Sequence, residues 1–173
     1  FPSLGKKINR LIVPEPEEVL VPKSKPEKEI TLFITSCGRL NLLKTTITSF
    51  FKFNTYPIKH IILCEDSGVK GCADFVVDIL PTYLQSRVIF CYNEERIGQM
   101  KTIEKYIKLV DTDFIFHLED DFEFFDYGFI ELSLKILDSD PKISQVLLAD
   151  KQYTFYKQDI GNPLCVKILT NHP

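Results

Sequence analysis

Phe114-Ile115-Phe116-His117-Leu118-Glu119-Asp120-Asp121-Phe122-Glu123 is an apolar run that stops abruptly at three adjacent carboxylates. The run predicts a buried strand, because its apolar residues fall on both faces and charge closes both ends. Three like charges at a strand end repel one another and are costly to desolvate. A divalent cation among them relieves both penalties, and hard cations such as Mg²⁺ or Mn²⁺ prefer carboxylate oxygens. Mg²⁺ is usually held by one or two carboxylates plus substrate phosphates, so a metal and a phosphorylated substrate are the first expectation. The competing reading is a solvated acidic turn after a strand.

On both sides of this run, strands and helices alternate. Ile30–Thr35, Ile58–Cys64, Val88–Tyr92 and Ile143–Leu148 read as further strands, and Leu40–Phe53, Cys72–Leu80, Gln99–Val110 and Tyr127–Leu137 as helices. Leu42, Leu43, Thr46, Ile47, Phe50 and Phe51 form one helical core stripe, and Met100, Ile103, Ile107 and Val110 another. Asp126 stands at an N-cap position and Asp138 at a helix exit, with Pro141 blocking continuation. Strand starts recur roughly every 28 residues, the length of a strand–helix unit. The expected fold class is therefore α/β, a three-layer α/β/α arrangement around a mainly parallel sheet. Residues 1–29 carry Pro14, Pro16, Pro22 and Pro26 among charges and read as an arm or linker, which leaves 30–173 as the domain.

Ligands of such sheets bind beyond the carboxyl ends of the strands. Four polar segments follow apolar runs: Ser36–Arg39, Glu65–Gly68, Asn93–Gly98 and Glu119–Asp121. At the first, small residues admit a ligand and Arg39 can pair with phosphate or stack on a base, or else sit in an ordinary helix's first turn. It is neither a GxGxxG fingerprint nor a P-loop. Glu65 and Asp66 can accept from a base N–H or ribose hydroxyls; a solvated turn is the alternative. Gly98 opens a helix with Arg96 and Lys101 beside it, a setting that favours a diphosphate, although a basic pair is also ordinary surface charge.

The order ITLFITSCGR, IKHIILCEDSG, NEERIGQMKTIEKYIKLVDTDFIFHLEDD, spanning about Ile30 to Asp150, resembles the nucleotide-binding half of a GT-A glycosyltransferase of the family-2 type. The resemblance implies a Rossmann-like nucleotide-diphospho-sugar transferase fold and a metal-dependent transfer of a sugar, a hexose in type, from a UDP- or GDP-linked donor to an acceptor hydroxyl on a glycan or protein. It implies that Asp66, or Glu65 beside it, recognises the base, and that Glu119 and Asp120 hold ribose or metal-bound water. Asp121, with Glu119, would ligate Mn²⁺ or Mg²⁺. Ser36, Arg39 and Gly98 would border the donor. The motif begins with Glu rather than Asp, and Thr102-Ile103-Glu104 stands where the family carries Ala-Arg-Asn, so Gln99 or Lys101 substitutes for the arginine. Asp150 is the candidate general base, and His172 a candidate metal ligand or part of a frayed end. The acceptor half reads as short or truncated.

His117 reads as a core histidine, and Phe122, Phe124, Phe125 and Tyr127 as core or as an acceptor-side wall. The net charge of -3 gives no reason to expect nucleic acid or an anionic membrane as partner. No run is long and apolar enough to span a bilayer, and the N-terminal residues show no signal-peptide pattern. Five cysteines without a CxxC pair argue against zinc and a disulfide framework, and reduced thiols lead us to expect a cytoplasmic protein. Two other functions compete: a non-catalytic nucleotide-sugar or carbohydrate-binding module of a larger protein, and a nucleotidyltransferase that makes sugar nucleotides. The latter needs a glycine- and arginine-rich first loop, which Thr35–Arg39 does not match.

Overall fold

The computed structural model describes residues 27–68, 72–148 and 166–168, with backbone alone for 72–74 and 166–168. In chain order the elements are β1 (Ile30–Ser36), α1 (Leu40–Phe53), β2 (His60–Glu65), α2 (Cys72–Ile79), α3 (Thr82–Gln85), β3 (Val88–Tyr92) and α4 (Gln99–Tyr106). A 3₁₀ turn (Ile107–Leu109), β4 (Phe114–Glu119), β5 (Phe122–Phe124), α5 (Phe129–Ser139) and β6 (Val166–Ile168) complete them.

The main sheet is parallel throughout, in the order β3-β2-β1-β4. All seven residues of β1 are buried, as a central strand covered on both faces requires. The chain builds outward from β1 to β3, then α4 carries it back to lay β4 on the other edge of β1. That reversal makes the C-terminal ends of β1 and β4 the topological switch point, where such sheets open a crevice. Thr35 lies opposite Glu119 in this register.

One sheet face carries the larger core. Leu43, Ile47 and Phe50 of α1 and Phe129, Ile130 and Leu134 of α5 meet Leu32, Ile34, Ile61, Leu63 and Leu118. Phe50 is its hub, with ring centroids of Phe51, Phe116, Phe124 and Phe129 5.0–5.5 Å away. Aromatic pairs of this kind add about 0.5–1.5 kcal/mol each beyond their area burial. The opposite face is thinner: Ile103, Tyr106 and Val110 cover Phe33, Ile62, Cys64 and Cys91. Helices on both faces of a mainly parallel sheet are the architecture expected from the sequence. Among the described residues no helix is long and apolar enough to cross a membrane.

Some expectations need correction. Ile143–Leu148 is not a strand: the run has no regular structure, and Leu147 is 73% exposed. Strand preference reflects a fit to a pleated, half-buried surface, and this run, split by Ser144 and Gln145, has no ladder partner among the described residues. Instead it borders a groove of about 670 Å³ along β4. A two-stranded antiparallel ribbon, Phe122–Phe124 with Val166–Ile168, was not foreseen. The N-cap of α5 is Gly128, at φ 78°, while Asp126 accepts from the Tyr127 N–H at 2.8 Å. Finally, the stripe on α4 holds only in part. Ile103 and Val110 pack against the sheet and Thr102 is fully buried beside them, whereas Met100 is 77% and Ile107 44% exposed. His117 is exposed on β4, not core, and bonds Thr35 Oγ1 at 3.2 Å. Of the aromatics, Phe124 is core, and Phe125 and Tyr127 are exposed.

Candidate functional site

The turn after β1 and the acidic end of β4 are bound together. Asp120 is almost wholly buried, and its Oδ2 accepts from Ser36 Oγ (3.2 Å), the Cys37 N–H (3.2 Å) and Arg39 Nε (3.3 Å). Arg39 also bonds Asp120 Oδ1 through Nη2 and reaches Asp121 Oδ2 through Nη1 at 3.2 Å. A bidentate guanidinium–carboxylate pair is among the stronger and more directional contacts available to side chains. Asp121 keeps its other oxygen, Oδ1, buried and without a hydrogen-bond partner among the described residues. Burial, with Asp120 and Glu119 adding to it, holds the Asp121 carboxyl above its ordinary range against the pull of Arg39.

A second knot joins the end of β2 to the loop after β3. Asp66 is buried and accepts from Asn93 Nδ2 (2.8 Å), the Ile97 N–H (2.9 Å) and the Gly98 N–H (2.8 Å). Burial pushes its pKa up, but these donors and the Thr102 hydroxyl outweigh it and hold the carboxyl below the usual range. Asn93 in turn donates to Thr102 Oγ1 and accepts from Lys105 Nζ, each at 2.8 Å. Gly98 enters α4 at φ 90°, a conformation open to glycine and strained for other residues. Next to Asp66, Glu65 spends Oε1 on the N–H groups of Gly38 (2.8 Å) and Ser67 (2.9 Å), and its Oε2 is buried without a partner among the described residues.

Between the two knots lies a cleft of about 150 Å³. Its walls bring together Ser36, Arg39, Asp66, Arg96, Gly98, Gln99, Glu119 and Asp120, which the sequence had singled out, with Thr35, Cys37 and Thr102. Lys101 is exposed on the solvent side of α4 and does not line the cleft, nor does Glu65, which acts from beneath the β1 turn. Asp121 stands at the edge, tied through Arg39. Asp150 and His172 lie outside the described residues. Asn93 was read only as the start of the third strand-end segment and Thr102 only as a departure from the family's triplet; that the two join in holding Asp66 follows from contacts the sequence does not show.

Among the described residues no three His, Cys, Asp or Glu side chains converge to hold a metal. Asp120 is turned into its bonds with the β1 turn. Glu119 and the spare oxygen of Asp121 remain, a donor set of one or two carboxylates that suits Mg²⁺ or Mn²⁺ completed by phosphate oxygens and water. Cys37, Cys64 and Cys91 are free thiols.

The fold and the family have known counterparts. The mannosyltransferase PcManGT from Pyrobaculum calidifontis, solved in complex with GDP-Man and Mn²⁺, shares the fold with a TM-score of 0.57 at 13% identity. The likeness covers 67% of this chain and 34% of that one, so the chain spans about a third of the mannosyltransferase's length. Among curated proteins no significant match is found. Residues 31–167 match the profile of glycosyl transferase family 2, and the chain belongs to that family.

Proposed function

We propose that this chain carries the donor site of a glycosyltransferase, which binds a nucleotide-diphosphate sugar in the cleft between β1 and β4 and moves the sugar to an acceptor hydroxyl. The observation that carries the proposal is the switch-point cleft itself, lined by Ser36, Arg39, Asp66, Gln99, Glu119 and Asp120, with Asp121, whose Oδ1 is buried without a partner among the described residues, tied to its wall through Arg39. The bound GDP-Man and Mn²⁺ of the mannosyltransferase support a sugar-nucleotide donor and a divalent cation here.

Asp121, with Glu119, is the holder of Mn²⁺ or Mg²⁺. The cation, when bound, supplies Lewis-acid stabilisation of the charge that grows on the departing diphosphate. The protein adds to that charge balance from its own groups: Arg96 on the cleft wall, and the positive end of α4, whose first-turn N–H groups have no intrahelical partner. Such fixed donors and cations need no reorganisation as charge develops. Glu119 and Ser36 offer acceptors to ribose hydroxyls. Asp66 acts by holding the Asn93–Gly98 loop and the start of α4 in place beside the nucleotide. The acceptor is a glycan or protein hydroxyl, and its deprotonation falls to a carboxylate, for which Asp150 is our candidate.

Calorimetric titration of UDP and of GDP, each with and without Mn²⁺, tests this on the native protein and on Asp121→Ala. We expect metal-dependent binding of one nucleotide, lost in the variant. A folded protein that binds neither overturns the proposal. Binding without any transfer or donor hydrolysis would instead identify a nucleotide-sugar-binding module.

A further inference from the structure

Arg39 comes from the β1–α1 turn and bonds two neighbouring carboxylates at the end of β4. Two of its nitrogens are on Asp120 and the third is on Asp121. The Asp120 side chain is 1% exposed, that of Asp121 17% and that of Arg39 40%. The ion pair is thus anchored at its inner end and open at its outer end. Asp120 also keeps Ser36 Oγ and the Cys37 N–H, so its burial does not depend on Arg39 alone. Among the described residues Asp121 has no such second anchor for Oδ2. Three adjacent carboxylates at a strand end need a positive charge, and in this structure Arg39 supplies it.

We propose that Arg39 is a resident counter-cation that holds Asp121 when no metal is present and releases it when metal and diphosphate arrive together. This rests on the donor-site reading above. A divalent cation on Asp121 and a guanidinium 3.2 Å from the same carboxylate are like charges in a part-buried place, where repulsion is screened poorly. The Nη1 end of Arg39 gives way while its Nε and Nη2 fork stays on Asp120, and the freed N–H groups of Nη1 meet the diphosphate. Metal alone must then displace the arginine with nothing to receive it. With the nucleotide present, the released guanidinium gains a partner. Arg39 therefore couples the two ligands: each binds better when the other is bound, by the same factor. No covalent step is involved.

Mn²⁺ binding, followed by the electron paramagnetic resonance signal of free Mn²⁺, tests the proposal on the native chain, Arg39→Gln and Arg39→Lys. Each is measured alone and with saturating UDP or GDP, after circular dichroism has shown the fold to be kept. We expect Arg39→Gln to bind Mn²⁺ alone about tenfold more tightly than the native protein and to lose most of the gain that the nucleotide brings. Arg39→Lys keeps the charge without the fork; it should bind Mn²⁺ alone as weakly as the native protein yet lose much of the nucleotide's enhancement. If Arg39→Gln fails to fold, the lysine variant decides by that loss of enhancement. Unchanged Mn²⁺ affinity in Arg39→Gln, or full enhancement in Arg39→Lys, beside normal metal–nucleotide binding by the native chain, overturns the counter-cation role and leaves the donor site standing. Absence of any metal or nucleotide binding by the native chain overturns both.

Discussion

Asp66→Asn replaces one carboxylate oxygen by an amide that can only donate, in a place where every neighbour already donates. The native carboxylate takes Asn93 Nδ2 and the Ile97 N–H on Oδ1 and the Gly98 N–H on Oδ2. Turned so that its oxygen keeps the two donors on the Oδ1 side, the asparagine places its NH₂ against the Gly98 N–H. The opposite rotamer strands two donors and is worse. Even the better rotamer loses a charge-assisted hydrogen bond, about 1.5–3 kcal/mol, and strands a buried donor at about 1–3 kcal/mol. We expect a loss of about 3–5 kcal/mol in urea unfolding, together with faster hydrogen exchange at the Ile97 and Gly98 amides. The pH dependence gives a second check. Because folding lowers the Asp66 pKa, its contribution is fully present above the unfolded aspartate value and is lost as pH falls through the folded one. Native protein and variant should therefore draw together in stability below about pH 3.9. An Asp66→Asn protein with native urea midpoint and protected Ile97 and Gly98 amides would refute the claim that this carboxylate holds the loop.

Two further changes probe the frame around the cleft. Gly68→Ala puts a Cβ 2.7 Å from the Glu94 backbone oxygen at a φ of +76°, and we expect a loss of about 2–3 kcal/mol in chemical denaturation and weaker nucleotide binding as the Asn93–Gly98 loop shifts. A stability within 0.5 kcal/mol of native, on the scale of a neutral surface change, would contradict that contact. Phe50→Ala empties the hub of the larger core and should cost about 3–5 kcal/mol, read as a lower thermal midpoint, with little change in metal-dependent nucleotide affinity while the protein stays folded.

Local chemistry makes some of this molecule legible in one dimension. A strand buried on both faces must be apolar along its length, so β1 and β2 stand out as runs. Strand β4 stands out too, although as an edge strand it buries only Leu118 and leaves Ile115 41% exposed, so the buried strand expected there is corrected to a half-exposed one. Whatever breaks these runs at the carboxyl end is automatically a residue at the sheet's binding edge. That is why Ser36, Arg39, Asp66, Gly98, Gln99, Glu119 and Asp120, read as strand ends, all line one cleft. Helix α1 was legible for the same reason, its stripe of Leu43, Thr46, Ile47 and Phe50 facing the core. The run Ile143–Leu148 shows the limit of the signal, because six residues of mixed polarity are compatible with a strand but form one only where a ladder partner is at hand.

The roles of the polar residues depended on contacts far apart in the chain. Sequence marks Asp66 and Asp120 as carboxylates at a binding edge, free to face a ligand. The fold brings donors from 27 to 32 residues away onto Asp66 and an arginine from 81 residues away onto Asp120. Both carboxylates are thereby committed to holding loops, and the spare acceptors fall to Asp121 and Glu65 instead. A carboxylate's type, its strand and its edge follow from the sequence, since hydrophobic periodicity and charge are local properties. Which of its oxygens is free is a property of the packed molecule, because it is settled by neighbours that only the return of β4 to the side of β1 brings within hydrogen-bond reach.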